Sequence, residues 1–220
     1  MDRNGKFVED LEVLTARLTE GLQLAEKQSL DTLKNHLLEL QKSNIVKINH
    51  SVMELVCAKP LIRKGYEVHV EHELEPALTC DLYATKGDGN HIIEIETGYI
   101  PPEHALDPST YLLARIASKI TRYSNHTGKF ALGTPLHYIL PIPELLLTTP
   151  RKRTSENFKT VKALCDLYYK NPPVTLDEVR NARLHSVYMI DVDNLTAGEI
   201  DPEGYTKSKP VLANNFTRIL

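Results

Sequence analysis

Three carboxylates sit in apolar, β-rich stretches of the sequence. Asp81 falls in Thr79-Cys80-Asp81-Leu82-Tyr83-Ala84-Thr85, and Glu94 and Glu96 fall in His91-Ile92-Ile93-Glu94-Ile95-Glu96-Thr97. Side chains alternate between the faces of a strand. Glu94 and Glu96 therefore share a face with Ile92, while His91, Ile93 and Ile95 take the other. Asp81, one strand back, can face the same pair, and Glu54 in a preceding helical stretch is a fourth candidate. Burying such acids unpaired is costly. A hard divalent cation, which takes oxygen ligands, would offset that cost, and without one the acids would repel each other. The alternative is a solvated sheet face, on which alternating glutamates are ordinary.

Cations recur at spacings that matter. Arg115, Lys119 and Arg122 are four and three residues apart and share one face of a helix, with Tyr123 four residues beyond Lys119. That face meets either the acids or solvent. Arg151-Lys152-Arg153, with Lys159 and Lys162 beyond it, is a candidate phosphate track or a solvated basic turn. Other chemistries find no support. The nine histidines form no HxxxH or HExxH pair, and His69 and His72, three apart in a strand, are expected to face opposite ways. Cys57, Cys80 and Cys165 form no CxxC pair and no zinc spacing. There is no Walker loop, GxGxxG or GxSxG.

The elements that must position these residues follow from periodicity. Apolar residues at helical spacing predict helix over 7–42, with the stripe breaking phase at Gln28-Ser29, as one shifted helix or as a hairpin. This segment is either a coiled-coil-like dimerisation arm or a helix packed on its own domain. A second helix is predicted over 45–64, kinked or restarted at Pro60 and capped by Gly65. Strands over 66–72, 79–85 and 91–97 form an antiparallel meander, the last two joined by a hairpin loop at 86–90. Asp107-Pro108 starts a helix that runs to about Asn125. It is long enough for a parallel crossover to a fourth strand over 129–134. A proline-rich basic loop over 135–155 leads to helices near 156–170 and 175–184, the second opened by a capping box at Thr175 and Glu178. A fifth strand over 185–192 lies parallel to the fourth. The expected fold is α/β: a mixed five-stranded sheet flanked by helices. The expected organisation is a helical arm over 1–42, a core over 43–195 and a tail over 196–220.

In this order, with Glu54 on a helix, then Cys80-Asp81, a hairpin, Glu94-Ile95-Glu96 and a basic helix, residues 45–134 resemble the PD-(D/E)XK nuclease superfamily, and the fifth strand extends the likeness. Two letters depart from its pattern: Cys80 stands where a proline would precede Asp81, and Glu96 stands in the lysine position. Some restriction endonucleases of the superfamily have such an E-X-E element. The resemblance implies that Asp81 and Glu94 bind Mg²⁺ or Mn²⁺ and that Glu96 lies at the ion or orients the attacking water. Glu54 would hold a second ion or brace the first, and Lys119 would supply the missing cation. Asp81, Glu94, Glu96 and Lys119 are then the catalytic candidates. Arg115, Arg122, Tyr123, Arg151, Lys152 and Arg153 are candidates for contact with double-stranded or branched DNA. A non-catalytic DNA-binding or assembly protein on the same fold is the rival that Glu96 motivates.

Composition sets the outer limits. The 220 residues carry 26 Lys+Arg against 29 Asp+Glu, a net charge of -3, which excludes binding to nucleic acid by bulk charge alone. Residues 43–150 are the acidic part, with 12 acids and 9 bases, and residues 151–220 are mildly basic, with 11 bases and 9 acids. No apolar run approaches a membrane span, and no signal core follows Met1. Reduced thiols are expected to be buried, in a cytoplasmic setting. The N-terminal leucines suggest a homodimer.

Overall fold

A computed structural model describes residues 3–208. Among these residues the chain forms an α/β layered structure. Helices α1 (Arg3–Leu18), α2 (Leu24–Lys42) and α3 (Ile48–Arg63) precede strands β1 (Glu67–Glu75), β2 (Leu78–Lys86) and β3 (Gly89–Ile95). Helix α4 (Pro108–Tyr123) leads to β4 (Lys129–Pro135). Helices α5 (Glu144–Leu147), α6 (Ser155–Asp166) and α7 (Leu176–Asn181) lead to β5 (Ser186–Asp191) and β6 (Thr196–Ile200). A last helical stretch covers 202–208.

The sheet has six strands in chain order, β1-β2-β3-β4-β5-β6. The pairs β1/β2, β2/β3 and β5/β6 are antiparallel, and β3/β4 and β4/β5 are parallel. The meander and both parallel pairings match the expectation from sequence. The sixth strand corrects the five-strand count and lies in the segment read as a tail. It pairs only with β5 at the sheet edge, and its residues are exposed or half-buried, so it lacks the apolar alternation that marks a strand in sequence. The β2–β3 connection is a two-residue turn at Gly87-Asp88, closing on the pair Lys86 and Gly89. Gly87 takes φ +57°, as such tight turns require.

Two parallel crossovers that advance the same way along the sheet must put their helices on one face if both are right-handed. One apolar cluster accordingly joins Ile116, Ala117 and Ile120 of α4 to Val161 of α6, Val179 of α7, and Ile92, Phe130, Leu132 and Val187 of the sheet. The other face is covered by α1–α3. There Leu11, Leu18, Leu30, Leu37, Leu55 and Leu61 pack on Val68, Val70, Leu82, Ile93 and Ile95.

The N-terminal segment is a helical hairpin. The break falls at 19–23, earlier than Gln28-Ser29, with Gly21 at φ +73°. Leu11, Leu14, Leu18, Leu30, Leu33 and Leu37 are buried in the chain's own core, so most of the seam that suggested a dimer packs within the chain. Helix α3 continues through Pro60, which sits in its last turn. It closes on Gly65 at φ +79°, where Gly65 N donates to Ile62 O and Tyr66 N to Leu61 O. The Thr175–Glu178 capping box forms as expected. Asp107 precedes α4 without capping it; its carboxylate instead accepts from the Tyr168 hydroxyl. Among the described residues no helix is long and apolar enough to cross a membrane.

Candidate active site

Strands β2 and β3 pair from Lys86 and Gly89 down to Leu82 and Ile93. At the next position side chains replace the backbone ladder. Asp81 N donates to Glu94 Oε1 at 3.0 Å, and Ile95 N donates to Asp81 Oδ2 at 2.5 Å. Glu96 N turns to β4 and donates to Gly133 O at 2.8 Å. The two strands part around these carboxylates, and Asp81 stands in the split, within reach of both faces of the sheet.

The alternation of β1 and β2 reverses at the same level. Val68 and Val70 belong to the α3 side, as do Leu82 and Ala84, while Cys80 belongs to the α4 side. Beyond Glu71 the His72 ring stacks on Tyr83, whose packing is on the α4 side, with ring centroids 4.4 Å apart. The reversal is made by Glu71, which takes φ +48° in mid-strand. A left-handed residue breaks the period of two, and it directs the Glu71 carboxyl to α3. It also corrects the expectation for His69 and His72, whose rings lie 5.6 Å apart.

On the α4 side, Lys119 reaches all three acids. Its Nζ lies 2.7 Å from Glu96 Oε1, 2.9 Å from Glu94 Oε2 and 3.6 Å from Asp81 Oδ2, and it donates to Ile95 O at 3.3 Å. Arg115, one turn earlier on α4, donates from Nε to both Glu96 oxygens at 3.0 and 2.9 Å and also contacts the Tyr111 hydroxyl. Burial alone would lower the Lys119 pKa, but the charges of Asp81, Glu94 and Glu96 raise it well above the ordinary lysine value. Burial and the Asp81 charge push Glu94 up to about 8, against the opposing pull of Lys119. Burial would also raise Glu96, yet Lys119 and Arg115 together hold it below the usual carboxylate range.

On the α3 side, His50 and Glu54 are one helical turn apart. His50 Nδ1 meets Glu54 Oε1 at 2.9 Å, and Nε2 lies 3.3 Å from Ile95 O and 3.5 Å from Asp81 Oδ2. Burial would lower the His50 pKa, but Asp81 and Glu54 raise it to about 10. Burial also raises Glu54, and burial with the charges of Glu54 and Asp81 raises Glu71 to about 8. One ligand atom from each of His50, Glu54, Glu71 and Asp81 lies within 4.8 Å of the others. Glu54 is fully buried, and among the described residues no N–H donates to its Oε2. The carboxyl that interacts with Glu54 is that of Glu71, itself an acceptor unless it keeps a proton. An imidazole and three carboxylates around an orphaned oxygen fit a divalent cation.

The structure thus brings together Glu54, Asp81, Glu94, Glu96 and Lys119, with Arg115 beside them. It does not join the other basic candidates to them. Arg122 donates to Pro172 O and lies over the Tyr169 ring, and Tyr123 donates to Thr79 O at 2.8 Å. The basic triplet divides. Arg151 and Lys152 are exposed, whereas Arg153 is buried and donates to the carbonyls of Thr148, Val179 and Arg180. Arg153 closes the C-terminal end of α7, where orphan carbonyls attract a cation. Arg151, Arg183 and His185 line a groove beside the N-terminal end of β5, while the acids lie at the C-terminal end of β3, which runs in the same direction. His50 and Glu71 are additions. The spacing His50-x-x-x-Glu54 was visible in sequence, but Glu71 reaches the site only through its left-handed backbone.

No protein-family model, curated protein or solved structure matches this chain.

Proposed function

We propose that the chain is a divalent-metal-dependent nuclease that hydrolyses DNA phosphodiester bonds, with a PD-(D/E)XK-like site. The observation that carries this reading is Lys119. A buried ammonium from the crossover helix touches Asp81, Glu94 and Glu96 where β2 and β3 part. It supplies the positive charge that Glu96, in the lysine position, cannot.

Asp81 and Glu94 would hold the ion, with Glu54 behind them. When bound, Mg²⁺ or Mn²⁺ supplies Lewis-acid polarisation of the phosphoryl oxygen and a lowered pKa for water. Lys119 Nζ offsets charge that develops on the phosphoryl oxygen, a contribution typical of fixed donors in dry sites. Glu96 stays ionised, fixes Lys119 and Arg115, and accepts a hydrogen bond from the attacking water.

One observation favours a second reading, a non-catalytic DNA-binding or assembly protein. All four oxygens of Glu94 and Glu96 already have an N–H or ammonium partner, so that half of the cluster is complete without an ion. Nicking of supercoiled and branched DNA with Mg²⁺ or Mn²⁺ decides between them. The nuclease reading expects cleavage that chelator and Asp81→Asn both abolish. DNA binding without cleavage under either ion decides for the second reading, and cleavage that survives chelator overturns the dependence on metal.

A further inference from the structure

We infer that His50, Glu54, Glu71 and Asp81 form a centre for one divalent transition-metal ion of the Mn²⁺ kind, on the α3 side of the split between β2 and β3. The centre shares Asp81 and Glu54 with the proposed nuclease site and adds His50 of α3 and Glu71 of β1. It stands whether or not DNA is cut.

Convergence is the first argument. First-row ions hold nitrogen and oxygen ligands at about 2.0–2.2 Å, so two ligands on one ion stand no more than about 4.4 Å apart. The four ligand atoms lie within 4.8 Å of one another. A contraction of a few tenths of an ångström places them on one ion.

The second argument is the orphaned oxygen. Glu54 is wholly enclosed, its Oε1 is taken by His50 Nδ1, and among the described residues its Oε2 has no donor other than the Glu71 carboxyl, which donates only if it keeps a proton. A buried acceptor without a donor is costly, and the group beside it is another carboxyl, Glu71. Something positive must stand between them, a shared proton or a cation. A proton joins only two carboxyls, whereas a cation also uses the Asp81 carboxylate and the His50 ring.

The third argument is orientation. Glu54 Oε1 fixes the His50 ring through Nδ1, which aims Nε2 at Asp81 and Ile95 O. A carboxylate that holds one ring nitrogen while the other ligates is the usual way a metal-binding imidazole is positioned. On the other side of Asp81, Lys119 and Arg115 already neutralise Glu94 and Glu96. On the α3 side the three carboxyls of Glu54, Glu71 and Asp81 have only the His50 ring beside them.

The ligand set selects the ion. Oxygen ligands alone suit Mg²⁺ and Ca²⁺, while an imidazole shifts preference to transition metals. The full chain is therefore expected to take up one Mn²⁺ at least 100-fold more tightly than Mg²⁺. Pulsed electron paramagnetic resonance of the Mn²⁺-loaded protein should show coupling to a ring nitrogen, and His50→Gln should abolish it. Glu71→Gln should weaken Mn²⁺ at least tenfold by calorimetry. Glu73→Gln, an exposed neighbour on the same strand, should leave it unchanged. Circular dichroism checks that both site variants fold, and Glu71→Gln keeps the test open if His50→Gln does not. Bound Mn²⁺ without nitrogen coupling, an affinity indifferent to Glu71→Gln, or no uptake of Mn²⁺ overturns the centre. The nuclease reading is judged separately. Cleavage without nitrogen coupling overturns the centre alone, and nitrogen-coupled Mn²⁺ without cleavage of any DNA overturns the nuclease alone.

Discussion

Lys119 is the residue on which most of the site depends, and its replacement should show two effects at once. On the proposed nuclease reading, Lys119→Met removes the donor assigned to the reacting phosphate and should slow DNA cleavage about 10²–10³-fold in single-turnover assays. It also leaves Asp81 and Glu94 facing each other without their ammonium. Breaking a buried pair from one side typically costs about 3–5 kcal/mol, and urea unfolding should register a loss of that order. Arg115→Met tests a changed expectation. Sequence spacing made Arg115 a surface contact for DNA, but its guanidinium is spent on Glu96. The variant should lose about 1–3 kcal/mol of stability with little change in the salt dependence of DNA binding. An unchanged urea midpoint beside a shallower salt slope would return Arg115 to the DNA-contacting surface. Residue types and strand parity were enough to bring Asp81, Glu94 and Glu96 together, while helical spacing left the Lys119 face open to acids or solvent and only the resemblance joined it to them. They missed Glu71 because parity assumes an unbroken strand, and they misread Arg153 because a basic triplet does not say which of its members a helix end will claim.

The elements that hold the site were legible where their apolar period was strong, and lost where a neighbour rather than the local pattern decided them. Helix α4 and strands β1–β5 were readable. β6 was not, since an edge strand with little burial leaves no stripe. The N-terminal leucines were seen as a seam, but a seam does not name its partner; α3 proves to be part of it. Leu37 is wholly buried in that packing. Leu37→Ala should cost about 2–5 kcal/mol, with a melting temperature that does not depend on protein concentration. A concentration-dependent melt would show that a second copy shares the seam.

At the scale of the molecule, acidic and basic groups act on stability over different pH windows. His91 is buried, its ring nitrogens have no hydrogen-bond partner among the described residues, and burial lowers its pKa to about 3. The unfolded chain takes up a proton there between about pH 6.5 and 3 that the folded chain refuses, so His91 weakens the fold on acidification. Glu94 acts in the opposite sense. Its folded pKa is raised to about 8, so the folded chain keeps a proton that the unfolded chain has released. Its contribution is complete below the ordinary glutamate range and is lost as pH rises through 8. Between about pH 4.5 and 6.5 the two oppose each other; above that the glutamate is unopposed by His91. With chelator present, the melting temperature should therefore fall from pH 6.5 to 8.5, and His91→Leu should flatten the acid side alone. A melting temperature that climbs across the alkaline interval would show that Glu94 ionises freely in the folded chain. The order of the sheet bears on something else, the timing of assembly. Each strand lies beside its predecessor in the chain, and every residue of the site falls between His50 and Lys119. A chain growing from its N-terminus can lay down β1, β2 and β3 on α1–α3 as they emerge. The acids then wait on an open strand edge until the crossover helix brings Lys119 down on them and β4 closes that edge, so the chain from β4 onward arrives at a centre whose parts have all been synthesised.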